Sequence, residues 1–220
     1  MNDARAFIRA NTVLSASPMV PEIQLWLATE ITPIWQATEA WMTENNTAPP
    51  FWAFAWPGSV AMARHVLDNP ALVAGRKVLD FAAGCGLAAI ACAKAGAVAV
   101  QAADIDPLAL AATELNGRAN GVSIDMPPGD IVGSVCRWDL ILCGDVCYEA
   151  PMTGHIIPWL TRMAETAEVW IADPGRSYLP SSGLESFVHY VVPTSLELED
   201  GIEREVILYR LGPLPLRPNG

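Results

Sequence analysis

The chain is predicted to form a single α/β domain in which a mostly parallel, seven-stranded sheet is closed by a C-terminal antiparallel hairpin. Three observations predict it. From Lys77 onward, short apolar runs alternate with helix-length segments, the pattern of parallel strands joined by crossovers. The first run ends in the glycine turn Gly84-Cys85-Gly86, and later runs end at an acidic residue. Near the C-terminus Asp200-Gly201 separates two strand-like stretches, which reads as a hairpin. Together these describe a Rossmann-like three-layer fold.

Each element follows from local sequence. Between Pro21 and Trp41 apolar residues recur without a fixed period and Pro33 interrupts them, so one or two short helices or extended segments are expected there. Pro49-Pro50 precede the aromatic run Phe51-Trp52-Ala53-Phe54-Ala55-Trp56, and helical spacing then resumes from Val60 to Leu67 until Asn69-Pro70 ends it. Residues 77–81 form the first core strand, 87–95 an Ala-rich helix stopped by Gly96, and 98–103 a second strand. Pro107 opens the next helix, which ends near Asn120-Gly121. Strands follow at 138–143 and 169–172, and the hairpin is expected over 195–210. The domain division expected is an N-terminal extension and lid over 1–60 and a core over 61–212.

At 220 residues with 52% hydrophobic residues, the chain can bury one sizeable core. Its formal charge of −11 repels phosphate backbones, so nucleic acid is not an expected partner. The five cysteines lack a CxxC spacing and read as free thiols of a reducing compartment, with no metal site. Lys94, Gln101 and Asp104 break the most apolar stretch well short of the roughly 18 residues that cross a bilayer. No membrane partner is expected, the cytoplasm is the default location, and a monomer is the default for this fold.

The chemistry-bearing residues sit at the predicted strand ends. Gly84-Cys85-Gly86-Leu87-Ala88-Ala89 has the spacing that brings backbone N–H groups to a ligand at a helix N-terminus. A pyrophosphate gains nothing from Asp80 nearby, whereas a cofactor with a cationic amino-acid end does. Asp104, at the end of the second strand, is placed to accept from a ribose diol, unless it only caps the following helix. Asp130, in Gly129-Asp130-Ile131, is placed to accept from an adenine amino group if a third strand ends there, or is an ordinary turn aspartate.

These motifs resemble those of class I, seven-β-strand methyltransferases that use S-adenosylmethionine. More narrowly, Pro50-Phe51-Trp52-Ala53-Phe54-Ala55-Trp56-Pro57-Gly58, Asp145-Val146-Cys147-Tyr148-Glu149 and Asp173-Pro174-Gly175-Arg176 resemble the lysine methyltransferases of the electron transfer flavoprotein β subunit. The resemblance covers nearly the whole chain. It implies a cofactor site made by Trp56, Pro57, Gly58, Asp80, Ala82, Gly84, Gly86, Asp104, Ile105, Asp130 and Ile131. It also implies that a target lysine enters near Asp145 and Tyr148, with Glu149 assisting. The implied partner is a protein presenting a lysine, either the flavoprotein β subunit or a ribosomal protein.

The chemistry is consistent with those residues. A lysine with an ordinary pKa of about 10.4 must lose its proton before it attacks a sulfonium methyl, at a cost of roughly 4.6 kcal/mol at pH 7. Aromatic walls disfavour the ammonium, and a carboxylate attracts the cation and then orients the amine. Arg176 either holds a substrate carboxylate or forms a structural ion pair. Three other readings remain at this level: a small-molecule acceptor, a nicotinamide-dependent oxidoreductase, and a binding module without catalysis.

Overall fold

The structure is a computed structural model, and it describes residues 2–29, 32, 49–195 and 198–212. Helix α1 (Asn2–Asn11) leads into β1 (Val13–Ser15), which pairs antiparallel with β2 (Leu25–Leu27). Most of the irregular apolar segment expected after Pro21 lies outside the described residues. A short 3-10 turn, Phe51–Ala53, precedes α2 (Pro57–Asp68). The core then runs β3 (Lys77–Phe81), α3 (Leu87–Lys94), β4 (Ala99–Ala103), α4 (Pro107–Ala119), β5 (Leu140–Gly144), α5 (Ala150–Met163), β6 (Glu168–Asp173), β7 (Leu184–Pro193) and β8 (Glu203–Leu211).

Strands β3 to β6 are parallel, and the sheet order is β4-β3-β5-β6-β8-β7. β8 inserts between β6 and β7 and runs antiparallel to both. Alternate residues of each parallel strand face opposite layers, as the two-residue repeat of a strand requires. Val78, Leu140, Leu142 and Trp170 meet α2 and α3 on one face. Leu79, Ile141, Cys143 and Ile171 meet α5 on the other, through Ile156, Trp159 and Leu160. Because both faces are covered, the strands are nearly continuous apolar runs.

Two sequence expectations are corrected. The sheet has six strands among the described residues, and the place of a seventh is taken by a single parallel bridge between Gln101 and Asp125. Pro127 and Pro128 follow at once and have no N–H with which to extend that ladder. The C-terminal hairpin exists, but its arms are β7 and β8, so Asp200-Gly201 lies in their connection. Glu199 N–H donates to Ser195 O and turns the chain there. Helix α5, for which the sequence sets no expectation, accommodates Pro151, Gly154 and Pro158. Pro151 sits in the first turn, where no donor is needed, and Ile156, Trp159, Leu160 and Met163 supply a buried stripe at helical spacing.

The N-terminal segment packs directly onto the core. Arg5 forms an ion pair with Glu114 of α4, and the N–H of Trp26 in β2 donates to Asn116 Oδ1 at 2.7 Å. Ile8, Trp52 and Ala53 share a buried cluster with Ala109, Ala112 and Leu115. Helix α2 begins at Pro57, three residues before the expected start of helical spacing at Val60. Among the described residues, no helix is long and apolar enough to cross a membrane.

Candidate active site

The chain leaves β3 for β4 on one side and returns to the other side of β3 as β5. The switch point therefore lies between the carboxyl ends of β3 and β5, where open α/β sheets bind ligands. A cavity of about 600 Å³ opens there. Its wall combines the loop after β3 (Ala82, Gly84), the ends of β4 and β5 (Asp104, Ile105, Asp145), the aromatic segment (Phe51, Trp52, Trp56) and Tyr148. Two residues other than glycine adopt left-handed backbone on that wall, Ala82 at φ 56° and Asp145 at φ 55°. Each such conformation costs on the order of 1–3 kcal/mol and persists only where the surrounding packing imposes it.

In the first half of the site, Gly86 is the N-cap of α3 at φ 77°, and a Cβ there would lie 2.7 Å from the Thr113 side chain. Only glycine fits both demands. The space over Gly84 is open, so the loop forms a cradle lined by backbone. Asp104 is fixed by two backbone donors, Gly84 N–H at 2.9 Å to Oδ2 and Asp106 N–H at 2.9 Å to Oδ1. The cap of α4 is Asp106, which accepts from Leu108 N–H at 2.8 Å. Asp104 is therefore free of that duty and stands on the cavity wall, its carboxyl pushed up by burial. Asp130 and Ile131 also reach the wall, although no strand delivers them. Asp130 accepts from Val132 N–H and pairs with His155 at 2.8 Å, and those hydrogen bonds hold its carboxyl low against the opposing effect of burial.

Asp80 departs from its expected place. It is 3% exposed and lies beneath the loop, where Oδ2 accepts from Ala89 N–H of α3 at 2.8 Å. Burial pushes its carboxyl up to about 7, opposed by that hydrogen bond. Its role in this structure is to cap a helix whose own N-cap is a glycine.

The second half is built around Asp145. Oδ2 accepts from Gly58 N–H at 2.5 Å, and Oδ1 accepts from Arg176 Nη2 at 2.8 Å. Trp56, the N-cap of α2, has no side-chain acceptor for that helix, and Asp145 supplies one from across the sheet. Gly58 is required by this approach, because a Cβ would lie 2.5 Å from Asp145 Oδ2 and 2.6 Å from Ala172 O. Burial pushes the Asp145 carboxyl up to about 6, with Arg176 opposing it. Tyr148 is half exposed at the mouth, its ring centroid 5.5 Å from that of Phe51, and burial raises its hydroxyl pKa. Trp56 donates through Nε1 to Phe51 O at 2.8 Å, which fixes its ring on the wall.

The structure thus gathers Trp56, Ala82, Gly84, Asp104, Ile105, Asp130, Ile131, Asp145 and Tyr148 around one cavity. Pro57, Gly58, Asp80 and Gly86 support that wall from behind rather than lining it. Glu149 is exposed and serves as the N-cap residue of α5, off the cavity wall. Residues that the sequence did not single out for the site also line the cavity: Ser59, Met152, Ile156, Leu198 and His155, which by sequence reads as an isolated surface or core histidine. Three of them lie on α5, so overlooking that helix hid them.

Residues 60–144 match the family described as ribosomal protein L11 methyltransferase (PrmA), a span that stops one residue before Asp145. Solved structures show the same fold at low identity. Magnesium protoporphyrin IX methyltransferase from Synechocystis is 17% identical with a TM-score of 0.52, over 70% of this chain and 79% of that one. Over much greater lengths the chain is 36% identical to the electron transfer flavoprotein beta subunit lysine methyltransferase of Danio rerio, covering 93% of this chain and 79% of the relative. The enzymes of that name from Xenopus laevis and Homo sapiens are 39% and 35% identical, over 80% and 88% of this chain and 72% and 75% of theirs. At that identity and coverage, the chain belongs to the family of electron transfer flavoprotein β subunit lysine methyltransferases.

Proposed function

We propose that this protein methylates a lysine side chain of an acceptor protein, with the electron transfer flavoprotein β subunit as the first candidate. The observation that carries the reading is the meeting, in one cavity, of a backbone-lined glycine cradle and a buried carboxylate framed by aromatic rings.

The methyl donor is S-adenosylmethionine, which supplies an electrophilic methyl group on a sulfonium sulfur. The donor set of the first half fits it. Asp104 keeps lone pairs for a ribose diol after its two backbone bonds. Ile105, Ile131 and Val132 offer apolar surface for an adenine ring, and the open space over Gly84 leaves room for the chain between them. Asp145, at the edge of the second half, attracts the acceptor ammonium and then orients its amine, while Phe51, Trp56 and Tyr148 exclude water and favour the neutral form. A net charge of −11 suits a lysine-bearing surface.

The test is to incubate the enzyme with S-adenosylmethionine and either purified flavoprotein β subunit or ribosomal protein L11, and to follow acceptor mass. The β subunit should gain mass in steps of one methyl group, with peptide mapping placing the gain on lysine. Labelling of L11 in preference would overturn the acceptor assignment. A larger thermal shift with NAD than with S-adenosylhomocysteine would overturn the cofactor assignment.

A further inference from the structure

Beside the acceptor half runs a buried chain of charges that the proposed reaction has not yet used. Arg176, on the loop after β6, divides its three guanidinium nitrogens between two carboxylates, with Nη2 shared by both. Nε and Nη2 donate to Asp145 Oδ1 at 3.3 and 2.8 Å, and Nη1 and Nη2 donate to Glu199 at 3.2 and 2.5 Å. Glu199 is 6% exposed, comes from the β7–β8 connection, and also accepts from Arg204 Nε at 3.1 Å. Arg176 lies on the cavity wall, with its guanidinium carbon 5.8 Å from the centroid of the Trp56 ring.

We infer that Arg176 and Glu199 are positioning residues for methyl transfer: Arg176 fixes the orientation and charge of Asp145 at the acceptor pocket, and Glu199 fixes Arg176. This rests on the lysine-methylation reading. The geometry argues against the other use of Arg176, a two-pronged grip on a substrate carboxylate, because four of its five N–H donors are already committed to Asp145 and Glu199. A planar fork that bridges two carboxylates sets direction as well as charge. Asp145 enters the pocket from a strained backbone position, so its side chain needs an external restraint. Glu199 carries that restraint across the sheet, and its neighbour Leu198 itself lines the cavity.

The charge argument has a definite sign. The groups facing Asp145 are Arg176, Asp173 at the end of β6, Cys147 on its own loop, and the N–H of Gly58 at the start of α2. Burial and Asp173 favour protonation of Asp145, whereas Arg176 and Gly58 oppose it. Without the guanidinium, Asp145 takes up its proton at higher pH and no longer attracts an ammonium at neutrality.

The experiment compares Arg176→Met, Arg176→Lys and Glu199→Gln with the parent. Asp145 is titrated in the free enzyme by carboxylate carbon NMR, the pH dependence of kcat/KM is measured with the acceptor protein, and S-adenosylhomocysteine affinity is measured by calorimetry. In Arg176→Met the Asp145 titration should rise by about one to three pH units, and the acid limb of kcat/KM should rise with it. Arg176→Lys should restore the titration but only part of kcat, since a point charge cannot bridge two carboxylates. Glu199→Gln should lower kcat without raising the acid limb, because it removes a negative charge and loosens Arg176. Affinity for S-adenosylhomocysteine should stay at the parental value in all three. An unmoved Asp145 titration in Arg176→Met, or parental kcat in Glu199→Gln, would overturn the assignment. Should Arg176→Met not fold, an Arg176→Lys enzyme with parental kcat would overturn it equally. The NMR titration needs no acceptor, so a parent that methylates no lysine would sink the acceptor reading while leaving this arrangement separately measurable.

Discussion

The loops after β3 and β5 solve the same structural problem with different chemistry. Each follows a buried parallel strand and holds a non-glycine residue in left-handed backbone, and at each strand end a carboxylate, Asp80 within β3 and Asp145 just after β5, serves a helix whose own N-cap residue has no acceptor side chain. Asp80 caps α3 through Ala89, and Asp145 caps α2 through Gly58. Both are almost completely buried, at 3% and 7% exposure. Only Asp145 has a cation beside it. Burial pushes Asp80 up to about 7 and Asp145 up to about 6, with Arg176 opposing the rise at Asp145 alone. Burial raises both carboxyls, and what separates them is geometry: Asp80 faces a backbone N–H beneath the loop, whereas Asp145 stands on the cavity wall with the Arg176 guanidinium beside it, opposing protonation.

The sharpest way to break this contrast is Asp145→Asn, which keeps shape and removes charge. Turnover on a protein acceptor should fall by about 10²-fold or more, with S-adenosylhomocysteine affinity unchanged by calorimetry. Parental turnover in a folded variant would remove Asp145 from the chemistry and dissolve the distinction between the two loops.

Next in size is Asp104→Ala, which should weaken cofactor binding by about 1.5–3 kcal/mol while altering the chemical step far less. An unchanged dissociation constant would show that the two backbone bonds of Asp104 exhaust its role.

Gly58→Ala tests the close approach. Its Cβ would meet Ala172 O at 2.6 Å, and a backbone oxygen cannot swing aside as a long side chain does. A loss of about 1–3 kcal/mol in denaturant unfolding is expected, together with reduced turnover as Asp145 is displaced. Parental stability and rate together would mean that the α2–β5 contact is loose.

Asp80→Asn should have the smallest effect on activity and a distinct effect on stability. The folded state holds the Asp80 proton more tightly than the unfolded chain, so its stabilising contribution is complete below the ordinary carboxylate range. That contribution is lost as pH rises from about 4 to about 7. Asp145 acts in the same sense up to about pH 6, and His65, whose pKa burial lowers, acts in the opposite sense below its ordinary value. Thermal melts of Asp80→Asn across this range should show a flatter pH dependence and a higher melting temperature than the parent at about pH 8. A slope identical to the parent's would show that Asp80 does not carry the proton.

By itself the sequence determined the alternation of strands and helices, the glycine loop, and the acidic residues at strand ends. These are local properties, written in apolar spacing and in the few residues that permit a tight turn. It could not rank the carboxylates. Asp80 and Asp104 look alike as acids flanking one loop, yet one caps a helix below it and the other stands on the cavity wall. Local signals were silent on α5, whose buried stripe outweighs Pro158, and left two readings open at Asp130, of which the structure takes the turn, with one bridge at Asp125 in place of a third strand. Asp145 meets Gly58 across 87 residues of chain and Arg176 across 31. Which charge faces which is set by how the layers pack, and desolvation and ion pairing act through space, so only the tertiary structure decided which acid caps a helix out of reach and which meets a cation at the cavity.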